Sequence, residues 1–151
     1  MVKKIPHVRK TIAENILSSL RNSAQLTHHI SANATNILAY RKNLKSQSSG
    51  AKDENITIND IVCYAVIKAL KVNPALNAHF LGDSIKTFRQ VHLGIAVDTE
   101  RGLLVPVLKH ADEYALPELS KALKSLADRC KAGRIDPDLL ASDAASFTVS
   151  N

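Results

Sequence analysis

Apolar positions along the chain follow two periods. Ile5, Val8, Ile12, Ile16 and Leu20 recur at spacings of three and four, with Ala13, Leu17 and Ala24 widening the stripe. That spacing predicts an amphipathic helix opening at Pro6, where a missing N–H is harmless. Leu26, His28, Ile30, Ala32 and Ala34 then alternate with Thr27, His29, Ser31 and Asn33, which predicts a strand with one polar face. Thr35 is a capping residue ahead of a helix from Asn36 to about Lys45, with Ile37, Leu38, Tyr40 and Leu44 as its apolar contacts. Residues 46–55, SQSSGAKDEN, lose the pattern and read as a surface loop.

A helix beginning at Thr57-Ile58-Asn59-Asp60 carries Ile61, Val62, Cys63, Ala65, Val66, Ile67, Ala69 and Leu70. Apolar residues almost all round place it at the centre of the core, and Asn73-Pro74 ends it. Residues 77–81 and 84–88 flank the turn Gly82-Asp83 and predict a short hairpin. Residues 91–97 and 103–109 predict a longer one, with Leu93, Ile95 and Val97 on one face and His92, Gly94 and Ala96 on the other. Gly94 and Ala96 leave room for another backbone or a ligand, and Pro106 removes one ladder donor, so its strand lies at an edge or a bulge. Leu116-Pro117-Glu118 opens a last helix with its stripe at Leu116, Leu119, Leu123 and Leu126 and Gly133 as its C′ residue. A helical turn at 136–140 and a strand at 146–150 follow.

Composition narrows the class. The 151 residues fit one domain with an ordinary apolar fraction of 45%. No run of about 18 apolar residues is present, so nothing spans a membrane, and the basic start has no apolar region behind it to make a signal peptide. Cys63 and Cys130 stand far apart with no metal spacing and read as two buried thiols in a reducing compartment. The net charge of +6 is scattered over several helices and aromatics make up only 4%, so no stacking platform for nucleic acid is evident. His28 and His29 are neighbours on a strand and point to opposite faces, which excludes joint chelation of an ion.

Helices alternate with adjacent strands, which predicts a mixed sheet covered by helices, an α/β (α+β) domain. The segment GIAVDTERGLLVPVLKHAD resembles the central hairpin of the dihydrolipoamide acyltransferases, the catalytic domains of 2-oxo acid dehydrogenase complexes. VRKTIAENILSSLRNSAQLTHH resembles the opening of the same domain, with Asn15-Ile16 where an Arg-Met pair is usual. The succession NPALNA and the final FTVSN resemble it too, with Ala144-Ala145 in place of a Gly-Gly pair. The likeness runs from Val8 to Asn151. It implies a chloramphenicol acetyltransferase-like fold, a homotrimer or larger core, and other 2-oxo acid dehydrogenase complex components as partners. It also implies transfer of an acyl group between the dihydrolipoyl thiol and the thiol of coenzyme A, with no metal, in the cytoplasm or the mitochondrial matrix.

That reaction requires a base of near-neutral pKa to make a thiolate, and a preorganised donor for the tetrahedral oxyanion. The resemblance assigns the donor to Ser150, within Phe147-Thr148-Val149-Ser150-Asn151. It assigns the base to a His-x-x-x-Asp-Gly motif that these residues do not contain. None of His7, His28, His29, His79, His92 and His110 lies in a matching context; His92 leads the central hairpin and is the nearest substitute. The expectation is therefore the N-terminal part of a catalytic domain over residues 1–151, without the C-terminal strands of that fold and inactive alone. The alternative is a non-catalytic assembly or interaction subunit of a multienzyme complex.

Overall fold

The computed structural model describes residues 4–47, 56–100, 102–141 and 143–151. Its centre is a pair of packed helices, α3 (Ile58–Val72) and α4 (Leu116–Lys131). Thr57 starts α3 by a reciprocal cap: the Asp60 amide donates to Thr57 Oγ1 at 3.1 Å and the Thr57 amide donates to Asp60 Oδ2 at 2.7 Å. Cys63, Ile67 and Leu70 then turn inward against Leu119, Leu123, Leu126 and Cys130 of α4. The Ser120 hydroxyl crosses the seam and donates to Asp60 Oδ2 at 2.8 Å. α4 ends as its sequence predicts. Gly133 takes φ +66°, its amide donates to the Cys130 carbonyl, and the Arg134 amide donates to the Arg129 carbonyl.

These helices cover one face of a three-stranded mixed sheet ordered β6-β3-β7. β3 (Leu93–Ile95) is wholly buried, antiparallel to β6 (Val107–Leu108) and parallel to β7 (Phe147–Val149). Two separate hairpins complete the set: β1 (Ala78–Phe80) with β2 (Ile85–Thr87), and β4 (Val97–Thr99) with β5 (Gly102–Leu104). The long hairpin expected over residues 91–109 is thus two ladders in series. The break falls at Ala96 opposite Val105-Pro106, where proline supplies no N–H. Pro106 is buried, and its carbonyl still accepts the Ile95 amide at 3.1 Å.

Other expectations change as well. Residues 26–34 have no regular secondary structure and pair with no strand among the described residues, and Leu26 and Ile30 are exposed, Ile30 at 97%. Alternation gives a segment the reach of a strand; only a partner ladder makes it one. The helix α1 (His7–Asn22) forms, but most of its apolar stripe is open, with Ile16, Leu17 and Leu20 exposed and Ile12 half-buried. α3 is central on one side only, because Ile58, Val62 and Val72 face outward. Its apolar circumference is two faces, of which α4 and the sheet cover one.

The helix α2 (Thr35–Gln47) carries Ser46 and Gln47 as a continuation of its last turn, and the remainder of the loop expected at 46–55 lies outside the described residues. Its cap also differs, since Thr35 is already helical and its amide donates to Asn33 Oδ1 at 2.9 Å. The turn at 136–140 is a short 3-10 segment over Pro137–Leu139.

Candidate active site

β7 decides where the candidate chemistry sits. Phe147 and Val149 pack against the helix core, while Thr148 points to the opposite side of the sheet. The Ala96 amide extends the pairing by donating to the Val149 carbonyl at 3.2 Å. Strand alternation then carries Ser150 to the Thr148 side and Asn151 to the helix side. Ser150 is exposed.

Each side holds a cavity. On the Thr148 side, a cleft of about 620 Å³ lies between the sheet and α1, lined by Ile12, Asn15, Ile16, Leu103, Val105 and Thr148. Its walls are mostly apolar, with the Thr148 hydroxyl and the Asn15 amide among the few polar groups, the usual make-up of a site for an aliphatic ligand. Gly94 makes its floor close-packed: a Cβ there would lie 2.9 Å from Thr148 Oγ1 and 3.1 Å from the Ala145 Cβ. The close approach expected at Gly94 is therefore made by β7 itself. On the helix side, Asn151 lines a smaller cavity of about 340 Å³ with Asn59, Asp98 and Lys131.

Of the histidines, His7 at the start of α1 lines the cleft on the Thr148 side, and the others fall elsewhere. His92 sits at the start of β3, level with Ser146, and Ser150 is four residues further along the parallel strand, about 13 Å at the rise of a strand. Its Nδ1 accepts the His110 amide at 3.2 Å, so that nitrogen is unprotonated and occupied. Burial pushes the His92 pKa down, and the neighbouring His110 ring, 5.0 Å away, pushes it the same way. The structure gives His92 a fixed place in the fold and no reach to Ser150. His79 donates from Nε2 to the Ala145 carbonyl at 2.8 Å. His28 and His29 are exposed on the unpaired segment.

The thiols are structural as well. Burial, then the Asp60 charge, pushes Cys63 up to about 11, and burial raises Cys130 too. Both stay protonated at neutral pH, which removes them as nucleophiles. No group of three His, Cys, Asp or Glu side chains is placed to hold a metal among the described residues. No helix there is long and apolar enough to cross a membrane.

Of the sequence-derived candidates, His7 lines the cleft under α1, and Ser150 follows Thr148 on the same side of the sheet without lining it. Sequence reasoning missed the side chains that hold the backbone leading into β7 and β3. Ser146 is buried and bonded to the His92 backbone, His79 holds Ala145, and Asn77 donates to the carbonyls of Phe88 and Gln90. All three side chains act on backbone atoms of distant residues, and no spacing in the sequence signals that.

Comparison with known proteins gives the family and the fold. The family model for the 2-oxoacid dehydrogenases acyltransferase (catalytic domain) matches residues 2–151. The dihydrolipoyllysine-residue acetyltransferase component of the acetoin cleaving system of Bacillus subtilis (strain 168) is 36% identical over 95% of this chain, which spans 36% of that protein. The dihydrolipoamide acetyltransferase of Azotobacter vinelandii, studied for the role of a serine, a histidine and an asparagine in its catalytic mechanism, superposes with a TM-score of 0.88 at 27% identity. It covers 99% of this chain, and this chain 62% of it. The cubic core of the pyruvate dehydrogenase multienzyme complex gives a TM-score of 0.86 at 28% identity, over 99% of this chain and 62% of that one. The chain thus spans about a third of the length of the curated relatives it matches.

Proposed function

The chain belongs to the acyltransferase family of the 2-oxoacid dehydrogenases, and on that premise we propose that it supplies the oxyanion-binding half of a thiol-to-thiol acyltransferase site. Residues 1–151 make up the N-terminal part of such a catalytic domain. The substrates are a dihydrolipoyl thiol and an acyl thioester of coenzyme A, and no metal takes part. The observation that supports the reading is that Thr148 of β7 lines the apolar cleft under α1, and strand alternation puts Ser150 on the same side of the sheet.

In the forward step a base takes the proton of the dihydrolipoyl thiol, and the thiolate sulfur adds to the thioester carbonyl carbon. The carbonyl oxygen becomes an oxyanion, to which the Ser150 hydroxyl donates. Collapse breaks the bond between carbon and the coenzyme A sulfur, and the proton passes from the base to the departing thiolate. The apolar cleft offers a surface for the aliphatic part of the acyl donor, and a neighbouring subunit packed over the exposed Ser150 would exclude water from the thioester. His7 lines the cleft, but no histidine of the chain lies in a His-x-x-x-Asp-Gly context, so the reading takes the base from outside this set of residues. In a trimer with its sites between subunits, a neighbouring chain faces the cleft and provides it. Other components of a 2-oxoacid dehydrogenase complex are the expected partners, in the cytoplasm or the mitochondrial matrix.

The test is reconstitution. The purified chain alone is expected to show no transfer between acetyl coenzyme A and dihydrolipoamide. After dissociation and reassembly with a full-length relative whose matching serine is alanine, activity is expected to appear. Turnover by the chain alone, abolished by changing one of its six histidines, would overturn the assignment of the base to a neighbour. Mixed trimers with no gain in rate would favour a purely assembling subunit.

A further inference from the structure

The segment leading into β7 is locked by two side chains that the reaction does not use directly. Ser146, 5% exposed, has its amide donating to the His92 carbonyl at 2.8 Å and its hydroxyl accepting the His92 amide at 2.9 Å. The same hydroxyl lies 3.4 Å from the His92 carbonyl, to which it donates. One residue earlier, His79 of β1 donates from Nε2 to the Ala145 carbonyl at 2.8 Å. A carbonyl only accepts, so this bond fixes the His79 tautomer with the proton on Nε2. The His79 ring is itself held edge-on against Phe88, 4.7 Å between centroids.

β7 needs such locks. It is three residues long, pairs with one strand among the described residues, and that pairing is parallel. Few ladder bonds therefore oppose a slip, and parallel pairing is the weaker kind per residue. A slip by one residue would turn every side chain to the other face. Ser150 would leave the α1 side of the sheet for the side that α3 and α4 cover, and an apolar or amide side chain would take its place.

We propose that Ser146 and His79 are positioning residues for Ser150: by pinning Ala145 and Ser146 they fix the register of β7 and so the face to which the Ser150 hydroxyl is presented. This rests on the reading of Ser150 as oxyanion donor. The role makes a demand that general support of the fold does not, since the effect on rate must pass through Ser150.

Two measurements test it. In the 151-residue chain, hydrogen exchange of the Ala96 amide, which bonds the Val149 carbonyl, reports the β3–β7 register. Ser146→Ala and His79→Ala are each expected to speed it by about tenfold, the worth of one hydrogen bond, while the Ile67 amide in α3 is unchanged. Ser146→Thr and His79→Gln, which keep a hydroxyl and a donor, are expected to restore it. In mixed trimers with the serine-deficient relative, Ser146→Ala is expected to lower kcat by about 10- to 100-fold with KM unchanged. In a Ser150→Ala background it is expected to lower it no further. Unchanged Ala96 exchange in both variants, or an equal fall in kcat whether or not Ser150 is present, overturns the positioning role and leaves the reading of Ser150 intact. If Ser150→Ala alone leaves kcat unchanged, that reading falls and the positioning role falls with it.

Discussion

Thr148 of β7 occupies the space that a side chain on Gly94 of β3 would need: a Cβ at Gly94 would lie 2.9 Å from Thr148 Oγ1. Ala145 and Val105 close the other two sides, at 3.1 and 3.3 Å. Threonine is stiff about its first torsion, so the crowding is not relieved by a simple rotation. Gly94→Ala is expected to destabilise the chain by about 1–3 kcal/mol, as overpacking of a tight site does. The double variant Gly94→Ala/Thr148→Ala is expected to recover most of that loss in urea unfolding. If it recovers nothing, the Thr148 contact is not the source of the cost.

Asp60 does two tasks with one carboxylate oxygen, capping α3 through the Thr57 amide and receiving the Ser120 hydroxyl of α4. Asp60→Ala removes both and is expected to cost about 2–3 kcal/mol. Ser120→Ala removes the second alone and is expected to cost about 1 kcal/mol. Equal losses for the two variants in denaturant melts would show that the cap contributes nothing.

Stability is expected to fall with acid through His92. Burial and the nearby His110 hold its pKa down, Lys109 adds to this, and Asp112, which itself pairs with Lys71, pulls the other way. Its Nδ1 also accepts the His110 amide, a bond only the neutral ring makes. The folded protein therefore disfavours the proton that the unfolded chain takes up near pH 6.5. The contribution is complete above that pH and is lost as pH falls below it toward the lower folded pKa. His92→Asn, which keeps an acceptor near Nδ1, is expected to flatten the melting temperature between pH 7.5 and 5.5 (about one titrating group). A profile as steep as the parent's would place the titration elsewhere.

The chain exposes 11316 Å², whereas a compact monomer of 16.4 kDa exposes about 7,500 Å². The excess is apolar in several places, including Ile16 and Leu20 of α1, Ile30, and Val62 and Val72 of α3. Self-association is the expected outcome, and sedimentation velocity measures it directly. A monodisperse monomer that melts sharply would contradict the expectation.

Local signals in the sequence proved a good guide where one residue's chemistry decides an element. The helix start at Thr57, the Gly133 terminator and the Gly82 turn needed nothing from far along the chain, whereas the cap expected at Thr35 lost its place to Asn33. The parallel order of β3 and β7 was not legible, because 52 residues separate Ile95 from Phe147 and no local pattern records which strands meet. Residues 26–34 show the converse. Their alternation is clear, yet no described strand lies alongside them. At the candidate site the Ser150 segment stood out through its resemblance to a family, while Ser146 and His79 did not, since their partners are backbone atoms of His92 and Ala145.

The central claim is that the Ser150 hydroxyl is the oxyanion donor of an acyltransfer site under α1. Its most direct test compares kcat for acetyl transfer from coenzyme A to dihydrolipoamide in trimers reassembled from the serine-deficient relative with either this chain or its Ser150→Ala variant. Removal of a single oxyanion donor is expected to lower kcat by about 10²–10³ with little change in KM. Equal rates from the two mixtures, with mixed trimers verified by mass, would contradict the claim.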